Sequence, residues 1–318
     1  MDGLDGVARH EGVPDRREPL SDADRLPVRL RGLLGALTLA WGFNWVAMKV
    51  ALAEVPPWTF RTLCLGLGSA VLFLVLRLGG QSIAPPRGQR TRLVVLALFN
   101  ITLWNILVAF GMTRIASGRA AILGYTMPAL AIPLSVWLLG ERPTPARIAG
   151  FALGMAGLAL LVGEGFAAAG HSPAGTLLML GAAASWAIGA VLQKKYPVAV
   201  PPGPYTAWIM LLGGVPVFVG AALFEDPAAL AHVGPRAVLG TAYNVLVAFA
   251  FAYWAWIKLA TSVSVTVFSL SILVIPVVGV LGGMLFLGER PSLAEYGALA
   301  LVLASLFTVA APRRAGAG

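Results

Sequence analysis

The chain has 318 residues, of which 58% are hydrophobic and only 12% charged, so a water-soluble globule of this length would lack the polar side chains needed to cover its surface. The formal net charge of +9 does not indicate nucleic-acid binding, because the cations lie in short loops beside apolar runs. The apolar runs have the length of membrane helices, and helices satisfy their own backbone groups in lipid. We therefore predict an all-α membrane protein.

The apolar runs predict ten transmembrane helices. They lie at about 30–51, 57–78, 91–111, 115–139, 145–163, 174–194, 203–224, 236–258, 262–287 and 292–311. Residues 1–29 carry many charges and predict a disordered tail rather than a cleavable signal peptide, and residues 312–318 form a second tail. If the N-terminus is cytoplasmic, fourteen Lys and Arg side chains face the cytoplasm and six face the other side. The positive-inside rule thus predicts a multi-pass protein of the inner (plasma) membrane with both termini cytoplasmic.

An internal repeat is the most specific feature of the sequence. The stretch Leu139–Pro143 (LGERP) recurs unchanged as Leu287–Pro291, 148 residues later. The same shift maps Pro128 onto Pro276, and a shift of 145 maps Trp41 onto Trp186. Because each unit contains five predicted helices, an odd number, the second unit must enter the membrane from the opposite side. The sequence predicts two inverted five-helix repeats, at 30–163 and 174–311.

The repeated LGERP stretch predicts a helix stop. Gly140 and Gly288 suit helix C-termini, and the proline that follows cannot continue the helix. Ser292 to Glu295 has the pattern of a capping box at the start of the next helix. A structural role in the hairpin is the favoured interpretation of Glu141 and Glu289, and a direct gating role is the alternative.

These motifs together resemble the ten-helix EamA family of the drug/metabolite transporter superfamily. The matching features are Trp41–Asn44, Phe60–Arg61, Ala116–Ser117, Pro128 and Leu138–Arg142, with Ser185–Trp186, Ser264, Pro276 and Leu287–Arg290 in the second repeat. The resemblance implies a secondary-type transporter of small metabolites, such as an exporter of amino acids or related polar or amphipathic solutes. A multidrug or toxic-compound efflux carrier is the alternative, and a non-transporting scaffold or receptor is a remote one.

Polar and aromatic side chains at membrane depth are the candidates for a substrate cavity, because such groups usually face the interior of a helix bundle. Packing between helices is the alternative for each of them. Trp41, Asn44 and Met48 share one face of the first helix, and Trp186 and Gln193 repeat that stripe in the sixth. The full set of candidates is Trp41, Asn44, Trp45, Asn105, Tyr125, Trp186, Gln193, Asn244, Phe268 and Ser271, with Pro128 and Pro276 as candidate hinges.

Four cations lie toward the outer ends of the first-repeat helices: Lys49, Arg61, Arg114 and Arg119. Long basic side chains near helix ends reach the membrane interface, so we expect all four to be solvated there. The alternative is that Arg61 or Arg119 faces the cavity and binds a substrate carboxylate or phosphate.

Several functions lack the residues they require. No carboxylate or histidine lies mid-helix, which favours facilitated transport or exchange over tight proton antiport. No nucleotide-binding loop and no nucleophile with a neighbouring base is found, so neither an ATP-driven pump nor an intramembrane enzyme is expected. We expect a small-molecule substrate, the lipid bilayer as surroundings, no cofactor, no metal and no nucleic acid. Gly150, Gly154 and Gly157 allow close helix packing, within the chain or in a homodimer.

Overall fold

The computed structural model describes residues 27–84, 88–167, 172–260, 262–263 and 271–310, and all regular structure in them is helical. In the first repeat the helices are α1 (Val28–Ala51), α2 (Pro57–Leu78), α3 (Arg90–Ala97), α4 (Trp104–Met112), α5 (Ser117–Gly124), α6 (Met127–Leu139) and α7 (Pro145–Ala167). In the second they are α8 (Pro173–Lys195), α9 (Pro202–Phe224), α10 (Pro235–Tyr243), α11 (Ala252–Ala260), α12 (Val274–Leu287) and α13 (Leu293–Ala310). A short 3₁₀ turn, Pro227–His232, precedes α10.

Two of the membrane-length helices contain a π-helical stretch. Leu98–Leu103 joins α3 to α4, and Asn244–Phe251 joins α10 to α11. If α3 with α4, α5 with α6, and α10 with α11 are each counted as one span, the described residues contain eight helical spans long and apolar enough to cross a membrane. They also contain the shorter apolar helices Val274–Leu287 and Leu293–Thr308. The all-α membrane fold is confirmed. The count of ten membrane-length helices is not, and the predicted segment 262–287 lies partly outside the described residues.

Helix ends follow the local sequence. Five helices begin with proline: α2, α7, α8, α9 and α10. Proline has no backbone N–H, and at the first position of a helix none is needed, because an N–H there has no partner within the helix. α6 and α12 end at Gly140 (φ +67°) and Gly288 (φ +66°), the left-handed conformation that favours glycine. The Ser292 hydroxyl accepts from the Glu295 amide at 3.1 Å, and the Glu295 carboxylate accepts from the Ser292 amide at 3.0 Å. The predicted helix stops and capping box are therefore confirmed.

Carboxylates join helices on one side of the bundle. We call the side where α1 begins the near side and the side where it ends the far side. On the far side, Glu54 accepts a hydrogen bond from the Gly234 amide at the start of α10 (2.5 Å). Glu225 accepts from the Trp58 and Thr59 amides at the start of α2 (2.9 and 2.6 Å). Because a helix N-terminus carries free amides and partial positive charge, each contact stabilises the junction of two helices.

The fourth predicted helix is interrupted where the sequence predicts a bend. Pro128 cannot donate to the Gly124 carbonyl one turn earlier, and the chain forms two helices, α5 and α6, with a turn at Tyr125–Thr126. Pro276 likewise lies in the first turn of α12, after a turn at Leu273. Both prolines thus begin a helix beside a break.

The glycines of α7 serve packing inside the chain. A β-carbon on Gly154 would lie 2.5 Å from the Ala129 β-carbon of α6, and one on Gly157 would lie 3.1 Å from the Ala298 carbonyl oxygen of α13. The Ser305 hydroxyl donates to the Gly150 carbonyl at 2.5 Å. These glycines are therefore used within the monomer. The predicted tails lie outside the described residues, apart from the first residues of α1, which begins at Val28.

Candidate functional site

A cavity of about 160 Å³ lies between the two repeats, in the middle of the bundle. Most of its wall is aromatic. The lining residues are Trp41, Asn44, Trp45, Met48, Arg61, Trp104, Asn105, Val108, Tyr125, Met127, Trp186, Ala248, Phe249, Tyr253 and Trp256. The structure thus brings together six of the ten predicted cavity residues, and Arg61 with them.

The aromatic wall is built from ring-to-ring contacts. The rings of Trp104 and Trp186 meet edge-to-face with centroids 5.1 Å apart, and Trp41 lies 5.2 Å from Trp256 and 5.8 Å from Tyr253. Such pairs add about 0.5–1.5 kcal/mol each beyond their buried area. The wall therefore has a defined shape that suits a flat or apolar group.

The π-helical stretches connect the repeats across the cavity. Trp41 in α1 donates from its indole Nε1 to the Ala248 carbonyl in the second π-helical stretch (3.1 Å). Ser185 in α8 donates to the Phe99 carbonyl in the first π-helical stretch (2.6 Å). In both cases the first helix of one repeat donates to the third helix of the other. The wider π turns leave carbonyl groups for these bonds, and such turns are frequent at functional sites.

Two asparagines contribute side-chain amides to the wall. The Asn105 side chain donates to the Ile101 carbonyl one turn earlier (2.9 Å), and this residue is 2% exposed. The Asn44 side-chain oxygen is buried and has no hydrogen-bond partner within the described part of the chain. An unpaired buried acceptor is costly, so Asn44 offers a contact to any donor that enters the cavity.

The expectation that all four far-side cations reach the membrane interface is wrong for Arg61 and Arg119, which are each 2% exposed. Arg61 donates from Nε to the Asn105 carbonyl (3.2 Å) and from Nη2 to the Met48 sulfur (3.0 Å). Lys49 is half-buried and donates to two carbonyls at the end of α4, and Arg114 is exposed.

Arg119 has a different environment from Arg61. Its guanidinium pairs with Glu164 (2.7 Å) and Glu295 (3.3 Å) and also donates to the Leu161 carbonyl. These contacts tie the start of α5 to α7 and α13, away from the cavity wall. Two carboxylates already neutralise Arg119, whereas no carboxylate pairs with Arg61 in the described residues.

Three of the remaining candidates lie elsewhere, and one lies outside the described residues. Gln193 is exposed in the last turn of α8. Asn244 is fully buried, its amide donates to the Gly240 carbonyl (2.9 Å), and it is not part of the cavity wall. The Ser271 carbonyl accepts a hydrogen bond from the Thr38 hydroxyl (3.4 Å), and Ser271 is not part of the cavity wall. Phe268 lies outside the described residues.

The sequence did contain a signal for part of the wall that was not predicted. Phe249, Tyr253 and Trp256 follow the i, i+4, i+7 spacing of one helix face and all line the cavity. Aromatic residues at that spacing are also typical of ordinary core packing, so the sequence alone does not mark them as cavity residues.

Toward the far side, packed helices cover the cavity. Trp45 lies between α5 and α12: a β-carbon on Gly124 would lie 3.0 Å from its ring, and one on Gly279 would lie 3.1 Å from it. Further out, the Glu289 carboxylate accepts from the Ser117 amide (2.6 Å) and the Gly118 amide (3.0 Å) at the start of α5. We call this contact the Glu289 cap. It joins the two helices that cover the cavity.

Toward the near side, a cleft of about 320 Å³ adjoins the cavity. Met127 and Trp186 contribute to the walls of both. Glu141, Arg147 and Lys194 lie in the cleft, where the carboxylate pairs with both cations. The hydrogen bonds from Lys194 and then Arg147 lower the pKa of Glu141 below its usual range. The near side thus has a cleft with charged residues, whereas the far side is packed.

The fold and this cavity define a polytopic α-helical membrane protein with a central site between two repeats. The model of the EamA-like transporter family matches residues 30–163 and 173–311. The chain therefore belongs to the EamA-like transporter family, with two EamA repeats, and is a membrane transporter of that type. This confirms the resemblance drawn from the repeated motifs.

Individual relatives agree. The chain is 29% identical to "Uncharacterized transporter YvbV" of Bacillus subtilis, over 87% of this chain and 90% of that protein. It is 25% identical to "Probable amino-acid metabolite efflux pump" of Escherichia coli, over 88% of this chain and 94% of that protein. One crystal structure is similar with a TM-score of 0.62 at 22% identity, over 88% of this chain and 96% of that one, which shows the shared fold.

Proposed function

We propose that the chain is a secondary-type transporter that exports small metabolites, amino acids or related polar and amphipathic solutes, by alternating access around the central cavity. The carrying observation is the asymmetry of that cavity, which packed helices cover on the far side and a cleft adjoins on the near side. The name of the Escherichia coli relative supports amino acids or their derivatives as the solute class.

The residues of the wall have separate roles in this proposal. The rings of Trp41, Trp45, Trp186 and Tyr125 contact flat or apolar parts of the solute, and Asn44 and Asn105 bind its polar groups. These groups come from both repeats, so movement of one repeat against the other changes access while the site stays central. Pro128 and Pro276, each beside a helix break, are the proposed hinges.

Transport requires the far side to open. In the proposed cycle the solute enters through the near-side cleft, the cleft closes, and release of the Glu289 cap lets α5 and α12 separate. With both termini in the cytoplasm, the near side is cytoplasmic, so loading from it is the order that an exporter needs. Energy comes from the solute gradient by facilitated transport or exchange.

The test is counterflow in proteoliposomes preloaded with unlabelled amino acids, nucleosides or cationic drugs. We expect labelled amino acids or related solutes to accumulate, and the combined change Trp41→Ala, Asn44→Ala and Trp186→Ala to abolish the signal. Trp137→Ala is the control, because this residue is 79% exposed on the lipid-facing surface of α6.

Other outcomes of the same experiment contradict parts of the proposal. Counterflow of cationic drugs alone would favour the multidrug alternative, and no counterflow of any solute would favour a scaffold or receptor. A solute-driven pH change that is lost in Glu54→Gln would replace exchange with proton antiport.

A further inference from the structure

Arg61 is a buried cation whose positive charge the described protein leaves uncompensated. It lies in the second turn of α2, is 2% exposed and lines the central cavity. Its contacts are the Asn105 carbonyl, the Met48 sulfur and the ring of Phe60, whose centroid is 5.1 Å from the guanidinium carbon. A carbonyl, a thioether and a ring face are neutral, so none of them balances the charge.

The same chain shows how a buried arginine is normally neutralised. Arg119, equally buried, pairs with two carboxylates. Burying an ion without a counter-ion carries a large desolvation cost. Nothing in the packing of α2 requires that cost, because an apolar side chain of similar length would fill the same space. The charge at Arg61 therefore points to a ligand that brings the missing negative charge.

The rest of the wall restricts what that ligand can be. No acidic side chain is among the described lining residues, so a cationic group would find no counter-ion there. The aromatic rings favour a flat apolar body. The volume of about 160 Å³ is close to that of a cavity of about 150 Å³ that binds benzene, so a body of about one ring with a short chain fits it.

We propose that Arg61 is the anion-binding residue of the cavity and that the preferred substrates are small carboxylates with one aromatic or similarly flat apolar group. The guanidinium binds the carboxylate, with its Nε and Nη2 contacts fixing its orientation, and the tryptophans contact the ring. This substrate class rests on the proposed transport function. It predicts that simple organic anions bind better than neutral or cationic compounds of the same shape.

Three probes of nearly equal shape separate charge from shape: 3-phenylpropanoate, its neutral amide 3-phenylpropanamide, and the cation 3-phenylpropylamine. Binding is measured by thermal-shift titration of the purified full chain in a neutral detergent without anionic lipid at neutral pH. We expect the carboxylate to bind about tenfold or more tightly than the amide, because it gains charge-assisted hydrogen bonds, and the amine to bind least. Equal binding of the carboxylate and the amide would overturn the proposal.

Arg61→Met is the diagnostic variant. It should remove the preference for the carboxylate while changing the affinity for the amide by no more than about twofold. The tenfold preference that is lost corresponds to about 1.4 kcal/mol or more of binding free energy. Without ligand its melting temperature should equal or exceed that of the wild type, since an unpaired buried charge has been removed. A large fall in melting temperature together with an unchanged carboxylate preference would show that Arg61 is structural. Arg114→Met, at an exposed far-side position, is the control and should change neither result.

Flux distinguishes this proposal from the proposed function. Counterflow of the amide and the carboxylate at equal rates in proteoliposomes would refute the anion preference while leaving transport intact. Selective binding of the carboxylate without any flux would support the anion site and refute the transport proposal.

Discussion

Replacing Glu289 by glutamine should shift the protein toward a state that is open on the far side. The carboxylate makes two hydrogen bonds to the first amides of α5, and it reaches them from beyond the end of α12. Both helices cover the cavity, and the intervening Gly283 leaves space for the carboxylate, since a β-carbon there would overlap Glu289 Oε2. The change therefore weakens the contact that joins the two covering helices.

The expected magnitude follows from that geometry. A glutamine side chain keeps one acceptor oxygen but presents an NH₂ group to the second amide, so one charge-assisted hydrogen bond is lost, worth about 1.5–3 kcal/mol. Loss of the negative charge at the helix N-terminus removes about 0.3–1 kcal/mol more of favourable interaction with the helix dipole. Because Glu289 is only partly buried, the lower end applies to the hydrogen bond and solvent screens most of the dipole contribution. The total is about 1.5 kcal/mol, which is roughly a tenfold change in the ratio of closed to open forms.

The assay is reaction of a cavity cysteine with a membrane-impermeant maleimide. Cys64→Ala removes the only native thiol, and Val108→Cys introduces one on the cavity wall, where the side chain is 1% exposed. Arg114→Cys, between α4 and α5 on the far side, identifies vesicles with that side outward. In these vesicles Glu289→Gln should raise the labelling rate of the cavity cysteine roughly tenfold, as estimated above.

Glu225→Gln is the matched control. Glu225 also caps a helix on the far side through two amides, at 2.9 and 2.6 Å, but joins α9 to α2 rather than the helices above the cavity. It should lower stability without changing far-side labelling. Equal labelling of Glu289→Gln and the wild type, or equal acceleration by both variants, would refute the view that the Glu289 cap closes the cavity.

Three further predictions concern stability, each measured as thermal unfolding in mild detergent. Gly189→Ala should destabilise the protein by about 1–3 kcal/mol because a β-carbon would overlap the Asn100 side chain. Gly181→Ala on the same helix should stabilise it by about 0.5–1 kcal/mol, because the nearest atom is 3.4 Å away. Stability changes of the same sign for both variants would contradict this. Arg119→Met should cost about 3 kcal/mol or more, since it removes the cation that Glu164 and Glu295 share, and a neutral result would be inconsistent with the ion pairs. The pKa of Glu141 is lowered in the fold, so this carboxylate should stabilise the wild type relative to Glu141→Gln above about pH 4.3. That difference in stability should disappear as the pH falls through the lowered pKa. A difference that persists in acid would contradict the stabilising role of the Glu141 ion pairs.

The sequence predicted best what depends on local chemistry. The helix ends at Gly140 and Gly288 follow from glycine's access to positive φ, and the capping box follows from two side chains three residues apart. The cavity stripe on α1 follows from helical spacing, since Trp41 and Asn44 must share a face. Repetition of the tryptophan at Trp186 indicated that the second repeat faces the same space.

What was missed depends on contacts between distant segments. Interface solvation was expected for Arg61 and Arg119 because both lie near helix ends, but neighbouring helices cover both side chains. Gln193 follows Trp186 by seven residues, as Met48 follows Trp41, yet Met48 lines the cavity and Gln193 is exposed near the end of α8. The packing of the neighbouring helices decides this, and the spacing does not. The π-helical stretches have no sequence signal, because they are fixed by bonds such as that from Trp41 to the Ala248 carbonyl.

The identical LGERP stretches make different contacts, and this difference bears on the proposed cycle. Glu141 on the near side pairs with Lys194, whereas Glu289 on the far side caps α5. Lys49 is the repeat equivalent of Lys194. It donates instead to the Met112 and Ile115 carbonyls, at 2.6 and 2.7 Å. If the repeats exchange conformations, Glu289 leaves the amides of α5 and becomes available to Lys49, as Glu141 is to Lys194. Each carboxylate then keeps a partner in both states, so the two states differ by only a few kcal/mol, within the range that differential binding of a solute can reverse. Lys49→Met removes this partner of Glu289 in the far-side-open state, and it also removes two hydrogen bonds of the present state. The second loss is the same with and without the Glu289 carboxylate, so a comparison of the two backgrounds isolates the first. The factor by which Lys49→Met changes the rate of far-side labelling should therefore be smaller in the Glu289 wild-type background than when it is combined with Glu289→Gln.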